Sequence, residues 1–330
     1  MAEPLRIGTR GSTLALTQTG QVAARLRQLG LDVRVETIGT RGDERRDAPL
    51  HTLGGDGIFV RELERALREH RIDLAVHSLK DLPTAPAPGL AIGCVPARVC
   101  PFDAFVGREG ESLATLPAGA VVGTSSIRRV VQVRAVRPDL EVRPIRGNVD
   151  TRLRKLDAGE YRCLILAAAG LERLGLGHRV TGLLSPPEFW PAVGQGALAL
   201  QVRDDDAVTR AAIGPLDDAA SHLAVVAERA CLAELSAGCL APVGGWARVE
   251  ADGRLILAAR VLEAHAGGVR HVSETAEVSG KAGGLGQAGG VVEKSVAVSL
   301  GRQVAALLLS AGAGPMLERM RQPLGERPSG

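Results

Sequence analysis

Aromatic side chains are nearly missing from this 330-residue sequence: four Phe, two Trp and one Tyr amount to 2%. So small a set excludes the stacked aromatic platforms on which single-stranded nucleic acids lay their bases. No excess of one charge sign is present either. Forty Lys and Arg against 37 Asp and Glu leave a net charge of +3, which argues against a nucleic-acid-coating protein. Lysine is scarce, at positions 80, 155, 281 and 294 only, and every other basic residue is arginine; a genomic bias explains such a skew, yet it makes Lys80 conspicuous. No apolar run reaches about 18 residues, so no membrane span is expected. The opening MAEPLRIGTR enters a strand pattern without an apolar core segment, so no signal peptide and a cytoplasmic location are expected. Five cysteines (94, 100, 163, 231, 239) form no disulfide framework, and Cys94 and Cys100 have no second Cys/His pair nearby, so a reduced protein without a metal site is expected. Neither GxxxxGK[ST] nor a GxGxxG following a strand occurs, which removes the usual nucleotide cradles.

What is present is a 45% apolar chain long enough for two or three domains. Short apolar strands at 5–10, 33–40 and 72–79 alternate with helical patterns at 12–29 and 57–70, the latter carrying Phe59, Leu63 and Leu67 at helical spacing. This alternation predicts a parallel α/β sheet. Five prolines between 83 and 101 suggest a linker. A second α/β run follows, with strands near 103–107, 120–125, 140–146 and 163–169 and helices near 126–137, 148–159 and 170–175. Prolines 186, 187 and 191 close it, and VGQGALALQVR (193–203) suggests a strand returning to the first unit. From Ser221 the pattern turns α+β: a helix over 221–235, strands near 246–250, 254–263 and 269–278, and a last helix near 293–311. The glycine-rich 279–290 suggests a flexible loop.

Charged and hydroxyl residues gather where the strands end, which in an open α/β sheet is where ligands bind. The first strand leads to Arg10 and Ser12; VHSLKDLPT (76–84) presents Ser78, Lys80 and Asp81; GTSSIRR supplies Thr124, Ser126, Arg128 and Arg129; RGNVDTR supplies Arg146 and Arg152; Arg173 follows the strand at 163–169. Helix N-termini, hydroxyls and arginine forks all suit anions. Taken singly, each such arginine is an ordinary solvated charge, each Ser or Thr a helix cap, and Asp81 a turn residue. Five strand ends with the same chemistry predict a cleft for a polyanion, with carboxylates at least as suitable as phosphates, and with one carboxylate, Asp81, inside it. In SAGCLAPVGG (236–245), Cys239 occupies a loop after a helix: either a small loop hydrophobe or an accessible nucleophilic thiol. The runner-up reading is a non-catalytic two-lobed carboxylate-binding protein or sensor, which the first 220 residues alone suggest; the lack of a signal peptide weakens an extracytoplasmic version, and a simple binder has no use for that thiol.

RIGTRGSTLAL (6–16), TRGD (40–43), VHSLKDLPT (76–84), GTSSIRR (123–129), RGNVDTRL (146–153), LAAAGLERLGL (166–176), PAVGQGALAL (191–200), AERA (227–230) and AGCLAPVG (237–244) occur in an order that resembles the hydroxymethylbilane synthase, or porphobilinogen deaminase, family nearly end to end. The resemblance implies two doubly wound α/β lobes like type II periplasmic binding proteins, about 1–99 with 196–219 and about 102–192, plus a smaller α+β domain at about 220–330. It implies a monomeric transferase that condenses four porphobilinogen molecules head to tail on a dipyrromethane cofactor, releases ammonia at each step, and frees a linear tetrapyrrole by hydrolysis.

By the same resemblance, Cys239 carries the cofactor through a thioether and Asp81 is the catalytic carboxylate. Arg10, Ser12, Ser78, Lys80, Thr124, Ser126, Arg128, Arg129, Arg146, Arg152 and Arg173 match positions that bind acetate and propionate groups, and Gln195 matches an active-site cleft position. Phe59 is either a core residue or a surface for a pyrrole ring. Asp56 stands where many relatives carry a lysine in a lid-like loop, and the stretch 279–290 is longer than the resemblance leads one to expect.

Overall fold

Ile7, Leu74, Val76, Cys94, Leu200 and Val202 come from segments up to 195 positions apart, yet they pack in one core. The chain is described by a computed structural model covering residues 3–39, 60–85, 87–237, 241–265, 267–279 and 293–321. Phe59, Cys239, Asp56, the segment 40–43 and nearly all of the stretch 279–290 lie outside the described residues. The first α/β lobe takes β1 (Leu5–Thr9), α1 (Thr13–Gln28), β2 (Val33–Thr37), α2 (Arg61–Arg68), β3 (Leu74–Ser78) and β4 (Leu90–Cys94). The second takes β5 (Asp103–Val106), β6 (Val121–Gly123), α3 (Ile127–Val136), β7 (Glu141–Arg143), α4 (Val149–Asp157), β8 (Cys163–Ala167), α5 (Ala168–Arg173) and β9 (Gly182–Leu184). The chain then returns to the first lobe as β10 (Leu198–Arg203) and α6 (Ala207–Ile213). The third unit comprises α7 (Ala219–Glu234), β11 (Val243–Val249), β12 (Arg254–His265), β13 (Gly268–Ser279), α8 (Lys294–Leu308) and α9 (Gly314–Arg321).

The two lobes share a plan. Strand order is β2-β1-β3-β10-β4 in one sheet and β7-β6-β8-β5-β9 in the other. β1 runs parallel to β2 and β3, and β6 parallel to β7 and β8. The strand that arrives from the other lobe, β10 or β5, enters between its neighbours and runs antiparallel to both. The parallel sheet predicted from the strand–helix alternation is therefore corrected to a mixed one. Local alternation reports βαβ units but is silent about a strand that crosses over. The proline-rich 83–101 is likewise more than a linker. It contains β4, whose partner β10 lies over a hundred residues away, so its pairing left no local pattern. Of 193–203, only Leu198–Arg203 is strand.

Ser12 caps α1, its Oγ accepting from the Ala15 amide at 3.3 Å, while Val22, Ala23 and Leu26 face the sheet and Gly30, at φ 85°, ends the helix. In the third unit, α8 lies so close to α7 that a Cβ on Gly301 would sit 2.4 Å from the Ala227 carbonyl oxygen, so glycine is required there. The segment Lys294–Met320 is long and apolar enough to cross a membrane by length and composition; Ala297, Leu300, Val304 and Leu308 of it are buried in the third core, and Gly312, at φ 100°, interrupts it.

Candidate active site

The buried strand β3 ends at Ser78 and passes into a single 3-10 turn, Leu79–Asp81. Leu79 and Leu82 anchor this turn in a small core with Val60, Val95, Ala197, Ala199 and Val225, which turns Lys80 and Asp81 outward. Asp81 is exposed and accepts no hydrogen bond from a described residue. It shares a cavity with Arg10, Ser12, Gln18, His77 and Ser78, so the ends of β1 and β3 and the start of α1 converge there. Ser78 Oγ and the Gln18 amide lie 3.0 Å apart, which fixes the serine. His77 beneath them is buried against Gln201 Oε1 at 3.0 Å; burial pushes its pKa down to about 4, and the Arg10 charge acts in the same direction.

Lys80 is half-buried. Its Nζ donates to Gln195 Oε1 at 3.4 Å. Burial lowers its pKa to about 8, helped by the Arg129 and Arg128 charges and opposed by Asp81 and Asp103. Gln195 is fully buried and donates through Nε2 to the Pro101 carbonyl and to Asp103 Oδ1, both at 2.8 Å. It thus acts as a clasp between the two crossovers, with its amide turned inward.

Asp103 opens β5 and is the hub of the site. Arg128 Nη1 reaches Asp103 Oδ2 at 2.9 Å and also bonds the Trp190 carbonyl; Arg129 reaches Asp103 Oδ1 through Nη2 at 2.7 Å and Nε at 3.0 Å, and Ile165 O through Nη1 at 3.0 Å. Burial would raise the Asp103 pKa, but the two guanidinium groups prevail and hold it well below the usual carboxylate range. The expectation that Arg128 and Arg129 both present open forks to a cleft is corrected here. Both are buried, and Arg129 commits Nε and both Nη groups to protein acceptors. Arg128 makes no hydrogen bond from Nε or Nη2 to a described residue, so part of its fork is available.

Arg152 and Arg146 lie on the same side. Arg152 donates to the Gly147 carbonyl at 2.9 Å, and burial, with the Arg129 and Arg146 charges, lowers its pKa to about 10. Arg146 is half-buried and its guanidinium bonds no described residue. Thr124 is buried and its Oγ1 accepts from the Ser126 amide at 3.3 Å; Ser126 is the N-cap position of α3 but makes no side-chain cap bond. Arg173 donates to the Gly196 carbonyl at 2.8 Å, which ties it to the second crossover, and burial lowers its pKa to about 10. Lys80 feels Arg128 and Arg129, and Arg152 feels Arg129 and Arg146, so these cations form one positive neighbourhood beside Asp81. A cluster this positive, relieved by Asp103 and Asp81, suits several carboxylates on one ligand.

Asp103, Gln18, Arg98 and Glu228 do not stand out in the sequence. The signal for Asp103 was a charged residue heading the fully buried DAFV, since a carboxylate there must be paired. Glu228, at 0% exposure, accepts from Arg98 Nη1 at 2.6 Å, the Gly194 amide at 2.6 Å and the Ala247 amide at 2.8 Å, and Arg98 Nε donates to the Gln195 carbonyl at 2.8 Å. Both crossovers and the third unit therefore meet on one carboxylate. Among the described residues no His, Cys, Asp and Glu cluster could hold a metal ion.

A profile described as "Porphobilinogen deaminase, dipyromethane cofactor binding domain" matches residues 5–211, and one described as "Porphobilinogen deaminase, C-terminal domain" matches 222–310. The chain belongs to the porphobilinogen deaminase family. A porphobilinogen deaminase of Syntrophobacter fumaroxidans is 44% identical over 318 residues, covering 96% of this chain and 97% of its own length. One from a Roseiflexus strain is 50% identical over 258 residues, covering 78% and 85%. Among solved structures, a nutrient-binding protein from Burkholderia cenocepacia is 13% identical, covers 64% of this chain and 90% of its own, and has a TM-score of 0.39. As a porphobilinogen deaminase homologue the chain is a transferase of porphyrin biosynthesis, and its larger matched region is the dipyrromethane-binding one.

Proposed function

We propose that this chain is a monomeric, cytoplasmic hydroxymethylbilane synthase: it joins four porphobilinogen molecules head to tail, releases one ammonia per addition, and frees the linear tetrapyrrole by hydrolysis. The observation that carries this reading is the placement of Asp81, exposed and without a hydrogen-bonding partner among the described residues, in one cavity with Arg10, Ser12 and Ser78 and beside Lys80. The donor chemistry fits a dipyrromethane, whose acetate and propionate groups match the cationic neighbourhood of Lys80, Arg128, Arg146 and Arg152. When bound, that cofactor supplies the pyrrole carbon on which the chain grows.

Cys239 is the attachment point, through a thioether. Three of the other four thiols support this choice by their unsuitability: Cys94, Cys163 and Cys231 are buried, and burial raises each pKa to about 12, so little thiolate forms. Arg10, Ser12, Ser78, Lys80, Thr124, Ser126, Arg128, Arg146 and Arg152 bind and orient carboxylates. Arg129 and Gln195 hold Asp103 and Lys80 in place, and Arg173, tied to the second crossover through Nη2, joins the carboxylate-binding set with the rest of its fork. Asp81 faces the positive charge that develops as porphobilinogen loses its amine, and stabilises it at short range. Phe59 is the aromatic side chain this reading assigns to packing on a pyrrole ring.

Intact mass of the purified protein tests the reading. The expected result is an excess equal to two linked pyrrole units, absent in Cys239→Ser, together with consumption of porphobilinogen by the parent. An active parent without excess mass would overturn the attachment, and a modified parent without turnover would overturn the activity.

A further inference from the structure

Arg229 is a half-buried cation with no carboxylate partner among the described residues. It projects from α7 of the third unit towards the first lobe, where its guanidinium meets three consecutive main-chain carbonyls: Nη1 donates to Leu82 O at 3.0 Å, and Nη2 to Pro83 O at 2.6 Å and to Thr84 O at 3.5 Å. Burial alone accounts for its pKa falling to about 10. Removing a guanidinium from water without an opposite charge is unfavourable, and an apolar side chain would fill the same space more cheaply. What the guanidinium provides is geometry: a planar fork fixes the carbonyls of the chain as it leaves the 3-10 turn. Val225, one helical turn earlier on α7, packs in the core that holds Leu79 and Leu82. The same face of one helix therefore seats the turn from below and clamps its exit.

We propose that Arg229 is a positioning residue for the reaction: it acts through the Leu79–Thr84 turn to hold the Asp81 carboxylate at its working place. This rests on the reading of Asp81 given under Proposed function. Asp81 lies between two anchored neighbours, Lys80 on Gln195 Oε1 and Leu82 on Arg229. Its own carboxylate has no hydrogen bond to a described residue, so the turn backbone sets its direction. Loss of the clamp leaves carboxylate-binding side chains in place and lets the reacting carboxylate wander. Misplacement by about 1 Å lowers turnover by about 100-fold.

The test uses the full-length, cofactor-loaded enzyme with Arg229→Met and Arg229→Lys, after parent turnover of porphobilinogen has been established. The expected result for Arg229→Met is parent mass, kcat reduced by about 10- to 100-fold and KM within about 3-fold of the parent. Arg229→Lys, which keeps a donor but not the fork, should recover part of kcat, and hydrogen exchange of a peptide covering 79–85 should speed up in Arg229→Met while peptides of β12 do not change. Parent kcat in a folded Arg229→Met, or kcat and KM shifting together with faster exchange throughout the third unit, would overturn the proposal. If Arg229→Met does not fold, Arg229→Lys decides: parent kcat with unchanged exchange at 79–85 rejects it, and reduced kcat at parent KM with faster exchange there supports it. An inactive parent would instead sink the function assigned to the site and leave the exchange measurement to judge the clamp.

Discussion

Glu228 and Arg98 form a buried ion pair at 2.6 Å, with side-chain exposures of 0% and 8%, at the point where both lobes and the third unit touch. The carboxylate also accepts the Gly194 and Ala247 amides. Glu228→Gln leaves Arg98 buried without a counter-charge and turns one acceptor into a donor facing a donor. We expect a loss of about 3–5 kcal/mol in unfolding free energy, measured as a lowered urea midpoint. A midpoint equal to the parent's would contradict the pair's structural role.

Gly196 sits at φ 87° with its Cα against the other crossover: an added Cβ would lie 2.6 Å from Val99 O and 2.8 Å from Cys100 O. Main-chain atoms cannot step aside as a flexible side chain can. Gly196→Ala should destabilise the protein by more than about 1 kcal/mol and displace the Arg173 bond to the Gly196 carbonyl. Urea unfolding of the variant checks this; an unchanged midpoint refutes the close packing of the crossovers.

His77 has a pKa of about 4 in the folded chain against 6.5 for the free side chain. Between those values the unfolded chain takes up a proton that the folded one refuses. Stability linked to His77 is therefore complete above pH 6.5, declines as pH falls towards 4 and is flat below. The full difference is about 3 kcal/mol. His77→Gln should flatten the stability–pH curve over that window relative to the parent, as read from urea midpoints at a series of pH values. Parallel curves for the two proteins would exclude the titration.

Asp81→Asn retains size and removes charge at a side chain that bonds no described residue, so the fold should be unaffected. Turnover should fall by about 100-fold or more, in line with losing a preorganised electrostatic group. Steady-state kinetics with a thermal melt separate the two effects. A kcat within a few-fold of the parent removes Asp81 from the chemistry.

Much of the architecture is visible in the sequence because its causes are local. Ser12 before an apolar period and Gly30 after it define α1, and the apolar run ending in Ser78 defines β3 and places Lys80 and Asp81 at its mouth. β4 was not visible because its partner is β10, and the direction of β5 was not visible because it depends on the chain crossing from the other lobe.

The sequence alone determined which residue types stand at the strand ends, since a buried strand must stop where charge begins. It could not say which charges face a ligand and which face each other. Arg128 and Arg129 are adjacent in the sequence, yet the placement of Asp103 on a strand 25 residues earlier takes Nε and Nη2 of one guanidinium, whose Nη1 goes to the Ile165 carbonyl, and only Nη1 of the other. Gln195 became a clasp, and Arg229 a clamp on a turn 145 residues away, only when three units closed on the crossovers. Pairing between buried charges is set by distances across the fold, and those exist only once the chain has packed.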